Sequence, residues 1–205
     1  MTRLLATLLL VGSLLLIVCS AFHPILPLTG PGDLAMIGSM GSWRLIHLGL
    51  LYATGLVIAG IWARWFGAER AERPVLGIAF VVLGIGEALN GVNIGFMAGA
   101  GTEFARLNSQ GSDVQQVYQA LHLAAIMSGK LAGFLVSLAA GMVALTTRQT
   151  PGEPLWLVWL AWLACGAGLA GNFLAPPGHP LMLASIGMMA FWQTATAVRL
   201  LRQPR

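Results

Sequence analysis

Residues 75–97 read VLGIAFVVLGIGEALNGVNIGFM, twenty-three positions in which Glu87 is the one charge. The hydrocarbon core of a bilayer is about 30 Å thick and takes roughly 20 apolar residues to cross as a helix. The stretch is long enough to span it.

Five further stretches fit the same template: 4–22, 43–62, 117–145, 155–174 and 181–201. Pro and Gly punctuate the gaps, with HPILPLTGPGD after the first segment, GAERAERP after the second, RQTPGEP after the fourth and APPGHP after the fifth. Such residues end helices and turn the chain. The expected fold class is all-α: a polytopic transmembrane bundle of six helices, one domain over residues 1–205, with longer outer loops at 23–42 and 98–116. The second loop is the sizeable polar stretch of the chain, and a short surface helix or an ordered loop is expected there.

Composition agrees. Hydrophobic residues make up 57% and charged residues 9%, with mean hydropathy +0.80, whereas about a quarter of a soluble domain is charged. The lipid bilayer is therefore the first partner. A net charge of +4 does not point to nucleic acid, because the basic residues form no run and sit beside the ends of the apolar segments. If six helices alternate, Arg3, Arg64, Arg70, Arg73, Arg148, Arg199, Arg202 and Arg205 fall on one side and Arg44 and Arg106 on the other. This positive-inside bias places both termini in the cytoplasm of a cell whose inner (plasma) membrane holds the protein. The first segment has a competing reading, since Arg3, an apolar run and Cys19-Ser20-Ala21 resemble a signal peptide; its length favours a retained helix.

In the fourth segment Ala125, Gly129, Gly133, Ser137 and Gly141 recur every four residues, and Gly91, Gly95 and Gly99 do so in the third. Small residues at that spacing let helix backbones approach closely in lipid. Packing within one bundle is the first expectation; a homo-oligomer, a membrane-protein partner or a flat cofactor are the others. Cys19 and Cys165 lie in apolar stretches without metal-site spacing and read as inert buried thiols.

Chemistry rests on few residues. WRLIHLGLLYAT (43–54) and YQALHLAAIMSG (118–129) each place a histidine four residues after an aromatic. With alternating helices, His47 and His122 lie about one turn inside the outer ends of two parallel helices, and His23 and His179 flank helix ends on that same side. Imidazoles at one level can ligate haem b or a metal ion. They serve equally as interfacial hydrogen-bonding groups, and both His23-Pro24 and His179-Pro180 suit turns. No HxH or HExxH fixes a metal geometry.

Deeper in the bilayer, Glu87 and Lys130 each lie about twelve residues from a helix end, roughly 18 Å in. Charges there need pairing, neutralisation or water. The economical expectation is a Glu87–Lys130 ion pair, with Asn90, Asn93, Tyr52, Thr54 and Asn172 adding a polar track toward the histidines. The chain has no phosphate-binding GxxxxGK[ST], no GxSxG and no CxxCH, which speaks against an enzyme of soluble-phase chemistry. Its seven tryptophans sit mostly near segment ends, as an interfacial belt.

Aligning His47 with His122 brings Trp43 onto Tyr118, and GEALN (86–90) loosely matches GLAGN (168–172). The second and third segments thus look related to the fourth and fifth as a parallel repeat. The order HP-loop-WRLIHLGLL, GEALNGVNIGFMAGAG, polar outer loop, PLWLVWLAWLACGAGLAGN resembles a broad group of uncharacterised bacterial six-helix membrane proteins. The resemblance implies the fold and contributes no catalytic residue. Three functions follow as expectations: a non-enzymatic small-ligand-binding or accessory membrane protein with a polar site in its outer half; a redox protein holding haem b or a metal through His47 and His122; and a proton-coupled carrier using Glu87 and Lys130.

Overall fold

The computed structural model describes residues 1–24, 33–68, 71–148, 150, 152–176 and 179–203. Arg70 and Arg205 of the charge count, and residues 25–32 of the first outer loop, lie outside them. Among the described residues every regular element is helical. The elements are α1 (Thr2–Ala21), α2 (Asp33–Ser39), α3 (Trp43–Gly67), α4 (Arg73–Phe96), α5 (Thr102–Ser109), α6 (Gln115–Thr147), α7 (Leu155–Leu169) and α8 (Pro180–Arg202). Wider π turns extend α4 over Met97–Gly101 and α7 over Ala170–Leu174. Six helices are long and apolar enough to cross a membrane, so the protein is a multi-pass all-α membrane protein.

The stretch 75–97 shows how the sequence writes such a helix. Pro74 sits in its first turn, where a missing N–H removes no helical hydrogen bond. Ile78, Val81 and Ile85 face outward while Leu76, Ala79, Phe80 and Leu83 are buried. At its far end the π turn disturbs the regular hydrogen bonding, and the Trp43 indole donates to the Met97 carbonyl at 2.9 Å. The expected surface helix in the second loop is α5, which packs on α2 to cap that end of the bundle.

Each spanning helix packs on the next one in sequence, α1 on α3, α3 on α4, α4 on α6, α6 on α7 and α7 on α8, and α8 returns to α1. The result is a closed ring. Its main contacts across the middle are those of α8 with α6 and α3. The α1–α3 wall is tight: a methyl carbon placed on Gly60 would lie 2.3 Å from the Leu9 backbone nitrogen. Helix α1 is therefore a full member of the ring.

The stripe on α6 serves packing inside this ring. Gly129 faces the Asn93 amide, Gly133 faces Asn172, Ser137 faces Gly168 and Gly141 faces Cys165. Side chains of α4 and α7 thus take the space that a second copy or a flat cofactor would need. The Gly91 series packs less: a methyl carbon placed on Gly95 or Gly99 would have no neighbour within 4 Å.

At the end where the chain termini lie, polar clasps close the ring. Arg64 pairs with Glu153 at 2.9 Å, the Thr150 hydroxyl donates to Glu72, and Arg199 donates to the Gly152 carbonyl at 2.9 Å. Two tryptophans depart from the expected belt. Trp43 and Trp192 are buried, at 2% and 1% exposure, whereas Trp156 and Trp159 lie on the outer surface. Trp43 is held inward by its bond to Met97, and Trp192 fills the core beside α8.

Candidate functional site

Inside the ring two chambers meet. The one nearer the α2–α5 cap, of about 190 Å³, is bordered by all four histidines of the chain: His23 just past α1, His47 on α3, His122 on α6 and His179 at the start of α8. The deeper one, of about 130 Å³, is bordered by Glu87, Asn172, Ser185 and Gln193. Asn90, Asn93, Leu16, Ile126, Met182 and Ile186 line both, so the two form one track from the histidine end to the middle of the bundle.

Local geometry fixes each histidine differently. His47 is 1% exposed, and its Nδ1 lies 2.9 Å from the Trp43 carbonyl one turn earlier. A carbonyl only accepts, so Nδ1 carries the proton and Nε2 carries the lone pair. That Nε2 lies 3.1 Å from Nε2 of His23, with the two rings nearly edge to face. Burial pulls the pKa of His23 below the ordinary imidazole value, partly offset by the Pro24 backbone. His122 stacks beside Tyr118 with ring centroids 5.2 Å apart. His179 is exposed and is the N-cap of α8, its Nδ1 accepting from Leu181 N at 3.2 Å. Its His-Pro step is thus turn chemistry, as the sequence allowed.

In the deeper chamber, Glu87 is buried with Asn90 and Gln193 beside its carboxyl. Asn172 is clamped, its amide donating to the Gly168 carbonyl at 2.9 Å and to the Ser185 hydroxyl at 3.1 Å. Gln193 is fully buried, its amide nitrogen turned to the Glu87 carboxyl beside it, and its Oε1 has no hydrogen-bond partner among the described residues. A buried unpaired amide oxygen costs about 1–3 kcal/mol. The chamber therefore offers the Gln193 Oε1 as an acceptor to whatever enters it. Sequence reasoning missed Gln193: it opens the short polar run QTAT (193–196) after an apolar stretch, but the run gives no sign of which residue the helix turns inward.

Two sequence expectations are corrected. Lys130 does not pair with Glu87: the ion pairs among the described residues are Arg64–Glu153 and Arg106–Glu103, and the Lys130 ammonium donates to the Ala175 carbonyl. That carbonyl closes the π turn at the end of α7, where the helix dipole favours a cation, and Lys130 borders neither chamber. Tyr52 is 66% exposed on the outer surface of the bundle. It lies five residues from His47, about 140° around the helix, so one face cannot present both inward. Thr54 returns its hydroxyl to the Leu50 carbonyl on its own helix.

The chambers do not suit haem. A dry cavity of about 150 Å³ holds benzene, and a porphyrin is several times larger. No group of three or more His, Cys, Asp or Glu among the described residues converges to hold a metal ion. The chain matches no protein-family model, no curated protein and no solved structure.

Proposed function

We propose that this protein is a non-enzymatic small-ligand-binding membrane protein, of the accessory kind, whose ligand occupies the two chambers. The observation that carries the reading is convergence. In lipid a polar group is expensive unless satisfied, and yet the histidines, Glu87, Asn90, Asn93, Asn172 and Gln193 border one continuous track. The Gln193 Oε1, without a partner among the described residues, is the least explicable by packing alone. The volume fits a ligand of fragment size with an apolar body and hydrogen-bonding groups at its ends, because Leu, Ile and Met form the rest of the wall.

The arginine bias orients the protein with both termini in the cytoplasm of a bacterial cell and the histidine end outward. Six arginines of the described residues, Arg3, Arg64, Arg73, Arg148, Arg199 and Arg202, belong to the helix ends and loop of the termini side. Access from the outer face then follows. The carrier reading loses its counter-ion, since Lys130 is engaged at α7.

Cysteine labelling tests this. Asn93→Cys in a Cys19→Ser, Cys165→Ser background is expected to react with a cationic, membrane-impermeant methanethiosulfonate added outside sealed vesicles, and Tyr52→Cys on the lipid face to react from neither side. Reaction of Asn93→Cys only from the cytoplasmic side, or not at all, contradicts the reading.

A further inference from the structure

The 3.1 Å contact between Nε2 of His23 and Nε2 of His47 raises a question of proton count. His47 has its proton on Nδ1, held by the Trp43 carbonyl, so its Nε2 presents a lone pair. Without a cation, His23 must then turn Nε2–H at His47, which leaves the lone pair of its own buried Nδ1 with no donor. With a cation between the rings both Nε2 lone pairs are used, and the His23 Nδ1–H is free to face the Pro24 backbone, an acceptor close to that ring.

We propose that His23 and His47 form a two-imidazole site for a transition-metal ion, copper foremost, in the outer chamber. This goes beyond the ligand-binding reading: the ion is held at the histidine end of the same track, in addition to the fragment-sized ligand. Three features support it. Metal–imidazole bonds are about 2.0–2.1 Å long; two of them spanning 3.1 Å enclose an angle of roughly 100°, that of neighbouring ligands in tetrahedral or octahedral coordination. The His47 Nδ1–H to backbone carbonyl bond is the second contact that usually fixes a ligating imidazole in place. The chamber also supplies soft donors without a carboxylate or thiolate: the thioethers of Met97 and Met182 border it.

That donor set selects the metal. Hard ions such as Mg²⁺ and Ca²⁺ favour carboxylate oxygens, and no carboxylate is among the described residues lining the outer chamber. Among divalent first-row ions copper binds nitrogen sites most tightly, and thioethers suit its reduced form. Cys19 takes no part, because its sulfur packs toward Gly49 on α3. The two preformed ligands define the site, and the remaining positions face the chamber.

The test uses the full chain, purified without a polyhistidine tag, stripped with chelator, titrated with Cu²⁺ and desalted. One retained equivalent is expected, with nitrogen hyperfine structure from at least two imidazoles in its electron paramagnetic resonance spectrum. His23→Gln and His47→Gln should each weaken binding by roughly 100-fold or more, and Cys165→Ser, outside both chambers, should leave it unchanged. The spectrum of the unmodified protein serves as readout even if a variant fails to fold. No retained copper, a spectrum without coordinated nitrogen, or affinity indifferent to both Gln variants overturns the site. If copper fails while Asn93→Cys still labels from outside, the metal is wrong and the ligand-binding reading stands; if labelling fails as well, both fall.

Discussion

Substituting Gly133→Ala adds one methyl group at the point where α6 receives Asn172. Its carbon would lie 2.4 Å from both Cγ and Oδ1 of Asn172 and 2.5 Å from Nδ2. The amide cannot shift freely, because Gly168 and Ser185 hold it. Overpacking of this kind costs about 1–3 kcal/mol, and losing the two hydrogen bonds costs about 1 kcal/mol each. Against this, Ala is favoured over Gly in a helix by about 1 kcal/mol. The net expectation is a loss of roughly 2–4 kcal/mol, together with displacement of a side chain that borders the deeper chamber. Reversible unfolding in mixed micelles measures the loss, with Gly84→Ala and Gly166→Ala as controls. Neither control has a neighbour within 4 Å of the added carbon, so each should be neutral or stabilising by up to about 1 kcal/mol. Adding Asn172→Ala to Gly133→Ala should remove the clash and recover much of the loss. A Gly133→Ala protein as stable as the controls would refute the close α6–α7 seating and the chamber wall built on it.

Other outcomes follow from the same geometry. Glu87→Gln and Lys130→Met should combine additively, within about 0.5 kcal/mol in an unfolding cycle, because each charge has its own partners; strong coupling would restore the ion pair. His179→Ala should cost about 1 kcal/mol of stability and His179→Asn should restore it, since His179 caps α8 and an asparagine also caps a helix N-terminus. Burial holds His23 below its ordinary pKa, so the unfolded chain takes up the proton more readily. The stability this contributes is fully present above the ordinary imidazole range and lost as pH falls through it. Unfolding midpoints measured across that range should drop toward acid in the native protein and drop less in His23→Gln; equal drops would remove His23 as a source.

The six spans were readable because apolar length is a one-dimensional property, and 75–97 needed nothing beyond a residue count. The ring was less readable, since which helices touch depends on side chains seated across neighbours, as Asn172 is seated on Gly133. Depth along a helix can be counted, and it placed the four histidines at one end correctly. Rotation about the helix axis separated Tyr52 from His47, and the reach of a long side chain took Lys130 to Ala175. Neither is visible in spacing between segments whose relative orientation is unknown. The π turns at Met97–Gly101 and Ala170–Leu174 carry no sequence mark beyond small residues, and they shift the helical phase of the residues downstream.

The central claim is that the ring encloses a ligand site, and its most direct test is the intact mass of the protein released from lipid nanodiscs under non-denaturing conditions. Ile126 borders both chambers, so Ile126→Trp fills the space where they meet. The native protein is expected to carry a discrete small-molecule or ion adduct that Ile126→Trp lacks. A native protein without any adduct, or the same adduct at the same level in Ile126→Trp, would contradict the account.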